Sequence, residues 1–96
     1  VETIKISENE IINSLCVYIA AKKQVNPEQV EIELLYDDKY GFSAEAHVNG
    51  RSQILITANM IEALRFYIEH ELNMDPFAAA IELELDDEEG IIAYVQ

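Results

Sequence analysis

The side chains of this 96-residue chain best suited to chemistry are two histidines, one cysteine and a surplus of carboxylates, nineteen in all. His47 lies in the alternating run Phe42 to Val48, two positions from Glu45. Upstream, Glu31 and Glu33 occupy a second alternating run, Val30 to Tyr36. If Tyr36 pairs with Phe42 across a turn, His47 falls opposite Glu31 and Glu45 opposite Glu33. Facing glutamates disfavour a sheet by a few tenths to about 1 kcal/mol. A cation or a basic partner at that place relieves the repulsion, so Glu31, Glu33, Glu45 and His47 are a candidate mixed histidine–carboxylate metal site.

A weaker metal candidate is the pair of acidic turns, Asp37-Asp38 and Asp86-Asp87-Glu88-Glu89, with Asp86 and Asp87 its leading residues. Neither turn has the spacing of a calcium-binding loop. Aspartate favours turns through hydrogen bonds to its own backbone, and that reading is preferred. Cys16, alone among apolar neighbours, is expected to be buried and inert. No disulfide or cysteine-based zinc site can be assembled within the chain. There is no Gly-x-Ser-x-Gly elbow and no glycine-rich phosphate loop. No catalytic residue and no cofactor is therefore expected, and an enzyme is the least expected reading.

Net charge is −13. Binding to nucleic acid or to anionic lipid requires clustered lysine and arginine, and the six bases here are scattered. No segment approaches the roughly 18–20 apolar residues that cross a membrane. The start, Val1 to Ser7, does not read as a secretory signal, so a cytoplasmic location is expected.

The elements that position these residues follow from a repeat. Shifted by 49 residues, the chain matches itself without a gap at Ile12/Ile61, Leu15/Leu64, Tyr18/Tyr67, Ile19/Ile68, Pro27/Pro76, Ile32/Ile81, Glu33/Glu82, Leu34/Leu83, Asp37/Asp86, Asp38/Asp87, Gly41/Gly90 and Ala44/Ala93. Each half, about 1–49 and about 50–96, reads as strand, helix, strand, strand within one domain. Ser7 and Glu10 form a capping box for the first helix. Asn59 and Glu62 mark the start of the second, and the prolines stand beyond the two helix ends. Asn49-Gly50 signals a tight hairpin between the third and fourth strands.

The expected fold class is α+β: an internal duplication of a βαββ unit, with two helices on one face of a mainly antiparallel sheet or of two small sheets. The expected core is Ile12, Leu15, Ile19, Ile32, Leu34, Ala44, Ile56, Ile61, Leu64, Ile68, Ile81, Leu83 and Ala93. The other sheet face receives the glutamates and stays wet. Leu35, Leu55, Ile92 and Tyr94 share its parity. They form either an interaction surface or an apolar stripe covered locally by a loop or by Tyr40.

From Tyr36-Asp37-Asp38-Lys39-Tyr40-Gly41-Phe42-Ser43-Ala44-Glu45 through Val48-Asn49-Gly50-Arg51-Ser52-Gln53-Ile54-Leu55-Ile56, the chain resembles the YxcD-like family of small proteins from bacilli. Met60-Ile61-Glu62-Ala63-Leu64-Arg65-Phe66 and Leu72-Asn73-Met74-Asp75-Pro76-Phe77 extend the likeness over nearly the whole chain. The resemblance implies a bacterial cytoplasmic protein of unknown function and brings no catalytic residues. The function expected from the residues is a protein–protein interaction or regulatory module, with a homodimer contact or a basic protein as partner. The alternative is a small-ligand or cation-binding protein.

Overall fold

The computed structural model describes residues 3–77 and 80–96. The elements are β1 (Ile4–Ile6), α1 (Glu8–Lys23), β2 (Val30–Asp37), β3 (Gly41–Val48), β4 (Arg51–Ile56), α2 (Thr57–His70), β5 (Ile81–Asp86) and β6 (Gly90–Val95), with a single 3-10 turn at Pro27–Gln29. The fold is α+β. Its strands form two three-stranded antiparallel sheets, ordered β1-β6-β5 and β2-β3-β4, rather than one sheet. The opening strand of each half joins the sheet of the other. β4 reaches β3 through the Asn49-Gly50 turn, and β1 pairs with β6, with Ile4 opposite Val95.

Local chemistry sets the helix ends. Ser7 accepts the Glu10 N–H at 3.2 Å, and the Glu10 carboxylate accepts the Ser7 N–H at 3.3 Å, completing the capping box. α1 closes at Gln24 with φ of +57°, and Asn73 takes the matching left-handed conformation after α2 with φ of +53°. α2 begins at Thr57, two residues before the position expected from Asn59. Asn59 still serves the helix start, because its Oδ1 accepts the Ile56 N–H at 3.1 Å.

The helices bury matching positions. Ile11, Ser14, Leu15, Tyr18 and Ile19 line the inner face of α1, and Met60, Ala63, Leu64 and Ile68 line that of α2. This spacing is one stripe of a helix. Burying each large aliphatic side chain stabilises the fold by about 1.5–3 kcal/mol. α1 packs on α2, β2 and β6, while α2 packs on β3 and β4. Leu15, Ile19, Ala44, Leu64, Ile68 and Ala93 are core residues as expected, and Ile32, Leu34, Ile81 and Leu83 pack against them half-buried. Two expectations need correction. Ile12 and Ile61 are only half-buried, because the stripes turn their neighbours Ile11 and Met60 fully inward. Ile56 is 59% exposed, because β4 presents its other face to the core.

The two acidic turns are built alike. Asp37 Oδ1 accepts the N–H groups of Lys39 and Tyr40 at 2.8 and 3.0 Å. Asp86 Oδ1 accepts those of Glu88 and Glu89 at 2.8 and 2.9 Å. These backbone bonds from Glu89 and Glu88 hold the Asp86 carboxyl below its ordinary range. The leading aspartates are turn formers, as their residue type suggests.

Candidate functional site

The outer face of the β2-β3-β4 sheet is where chemistry-bearing side chains meet. The register is the one the two runs imply: Glu31 opposite His47, Glu33 opposite Glu45, Tyr36 opposite Phe42. β4 continues each row, placing Ser52 beside His47, Ile54 beside Glu45 and Ile56 beside Ser43. Partners across an antiparallel pair share a face. Three rows therefore lie side by side on this surface. They are Glu31–His47–Ser52, Glu33–Glu45–Ile54 and Leu35–Ser43–Ile56.

The polar end of this face is compact. One ligand-type atom from each of Glu33, Glu45 and His47 lies within 4.8 Å of the others. His47 Nε2 is 3.0 Å from Glu45 Oε1, with the two side chains 43% and 31% exposed. Glu31 is not part of this close set, though it stands across from His47. Together they line a depression of about 390 Å³ with Glu28, Gln29, Asn49 and Gly50. Among the described residues, Asp86 and Asp87 join no comparable group of ligand-type side chains. Their neighbour Glu89 is paired with Lys5, Nζ to Oε2 at 2.6 Å, and this bond raises the Lys5 ammonium above its usual range.

The facing glutamates have a direct consequence for stability. Replacing Glu33 with glutamine keeps the shape and removes one charge of the pair. The metal-free variant should gain a few tenths to about 1 kcal/mol in urea unfolding. A loss of stability would mean that the two carboxylates do not repel one another in the folded chain.

The apolar end of the face differs from the expected surface. Leu35 is 36% exposed as anticipated, but Leu55 and Ile92 are each 2% exposed. Leu55 is turned inward because it pairs with Ala44, a core residue. Ile92 lies on β6, the central strand of the other sheet, where Ile91, Ile92 and Ala93 are buried in succession. Tyr94 is half-buried on that sheet, between Lys5 and Glu82. Tyr40, in the β2-β3 turn, projects into solvent. It is 79% exposed, with Lys39 Nζ 5.4 Å from its ring centre.

On this face the exposed apolar residues that sequence reasoning missed are Ile54 and Ile56, at 56% and 59% exposure. The signal was present in Asn49-Gly50. Both residues have positive φ, +51° and +79°, so the hairpin has a two-residue loop. Counting outward from Val48 opposite Arg51 brings Leu55 to Ala44 and leaves both isoleucines on the wet side.

Cys16 is a half-buried free thiol that donates to the Val30 carbonyl at 3.5 Å. Burial raises its pKa, which disfavours the reactive thiolate. His70 packs against Phe66 in a tilted arrangement with ring centres 4.2 Å apart. No helix among the described residues is long and apolar enough to cross a membrane.

The uncharacterized protein YxcD of Bacillus subtilis (strain 168) is 33% identical over 91 residues, which cover 94% of this chain and 89% of that relative. No solved structure matches the chain. A family model matches residues 1–88, and the chain belongs to that family, described as protein of unknown function (DUF2653).

Proposed function

We propose that this chain is a protein-interaction module whose docking face is the outer side of the β2-β3-β4 sheet. Its partner is an extended segment of another protein in which lysine or arginine alternates with apolar residues. The observation that carries this reading is the exposure of Ile54 and Ile56 on a strand that, among the described residues, pairs only with β3. Such an edge offers backbone groups to an added strand. Together with Leu35, the two isoleucines give the added strand an apolar contact. Glu31, Glu33 and Glu45 on the same face supply the charge that selects a basic partner. A second copy of the chain is the weaker occupant, because each copy carries a net charge of −13. A cytoplasmic setting fits a chain with one cysteine.

The test is a peptide array probed with the full chain and with an Ile54→Asp/Ile56→Asp variant. Bound peptides should be enriched in alternating basic and apolar residues. Their binding should weaken as salt rises and disappear in the variant. Retention of the same peptides by the variant would reject this face. A stable dimer of the wild type that the variant abolishes would assign the face to self-association instead.

A further inference from the structure

We propose that Glu33, Glu45 and His47 bind one divalent transition-metal ion of the zinc or cobalt type. The inference rests on these three side chains; it shares Glu33 and Glu45 with the docking face but needs no partner. Glu45 and His47 are two residues apart on β3, and the pleat sends both to the same side. Register then brings Glu33 directly opposite Glu45. Three donors from two adjacent strands thus point into one place, with their ligand-type atoms within 4.8 Å of one another.

Donors around a zinc-sized ion bind at roughly 2.0–2.2 Å. Tetrahedral donors at that bond length stand about 3.3–3.6 Å apart, so His47 and Glu45, at 3.0 Å, already have nearly this spacing, and Glu33 is the ligand that has to adjust. Glutamate side chains on a wet surface have the rotatable bonds to do so. Two carboxylates balance the ion's charge, and the imidazole favours zinc, cobalt or nickel over calcium and magnesium, which prefer all-oxygen sites. The set lies on a solvent-exposed sheet face, so water can complete the coordination, and Glu31 stands across from His47 on the same face.

A second observation comes from the other sheet. The positions 49 residues further on, in matching register, place Glu82 opposite Tyr94, with Gln96 two residues beyond. The same strand pairing is therefore built there without facing carboxylates and without a histidine. The architecture does not require the glutamate–glutamate–histidine set. On the β2-β3 pair that set places two like charges face to face, an arrangement that a bound cation reverses from repulsive to favourable.

The experiment is titration of zinc chloride and cobalt chloride into the metal-free full chain, with excess magnesium present to occupy diffuse acidic sites. Calorimetry should show one equivalent bound, and cobalt should give the absorption bands of a protein-coordinated ion. His47→Gln and Glu45→Gln should each weaken zinc binding by more than about tenfold, a loss that even an outer partner of a metal ligand causes. Glu82→Gln should bind as the wild type does. Circular dichroism melts would establish that each variant is folded, as expected for substitutions on a wet sheet face. The assignment fails if zinc gives no heat, if His47→Gln binds normally, or if Glu82→Gln loses as much as Glu45→Gln. Calcium binding as tight as zinc binding would equally overturn the donor set.

Discussion

Truncating Leu55 to alanine should remove about 2–5 kcal/mol of stability, the range for a buried leucine whose site cannot fully collapse. The same truncation at Ile54 or Ile56 should stay within about 0.5 kcal/mol of the wild type, as is usual for exposed positions. The three residues are consecutive, equally apolar and on one strand, yet only Leu55 is enclosed, at 2% exposure against 56% and 59%. Leu55 lies across from Ala44 on the face that α2 covers. Urea unfolding of the three variants measures the contrast. Equal losses at all three positions would mean that β4 is not held in this orientation. The reverse pattern would mean that its register is shifted by one residue. This result also guards the docking proposal, which needs both isoleucines free of the core.

Substitution of Gly90 by alanine should be the most damaging change in the two matching turns. Gly41 and Gly90 have φ of +79° and +80°, so an alanine at either costs about 1–2 kcal/mol in backbone strain. At Gly41 the new methyl group would meet nothing within 4 Å. At Gly90 it would overlap the Glu8 carboxylate. That carboxylate ends a flexible side chain and can swing away, so the overlap itself is inexpensive. The cost lies in what Glu8 then abandons, for its Oε2 accepts the Ile91 N–H at 2.9 Å. Ile91 is 5% exposed, and losing a charged acceptor there costs about 1–3 kcal/mol beyond the strain. Gly90→Ala should therefore unfold at clearly lower urea than Gly41→Ala. In a Glu8→Ala background the extra penalty should vanish, because the bond is already gone. Persistence of the full penalty there would show that Glu8 does not tie the first turn of α1 to the β5-β6 hairpin.

Much of the candidate site was legible in the residues themselves. The register of β2 on β3 follows from two alternating runs and one glycine-ended turn. It carries with it the opposition of Glu33 to Glu45 and of Glu31 to His47. The capping box at Ser7 and Glu10 was readable for the same reason, since each partner lies within a few residues of the other. What escaped was the orientation of β4. In Ile54-Leu55-Ile56 every residue is apolar, so the period-two signal has nothing to alternate. Only the turn geometry upstream distinguishes inside from outside. Ile92 escaped differently. A residue with outward parity is buried on the central strand of its sheet, flanked by β1 and β5.

The amino-acid sequence alone settled the kinds of elements, the three hairpin pairings and the placing of Glu31, Glu33, Glu45 and His47 on one face, from which the structure draws Glu33, Glu45 and His47 into the close set. Each of these depends on contacts between residues near one another along the chain. The tertiary structure decided that β1 leaves its own half to pair with β6, that the strands divide into two sheets, and that Ile54 and Ile56 face outward. Those outcomes rest on long-range pairing and on which face α2 covers, and a side chain's burial is set by the partner it meets rather than by its own hydrophobicity.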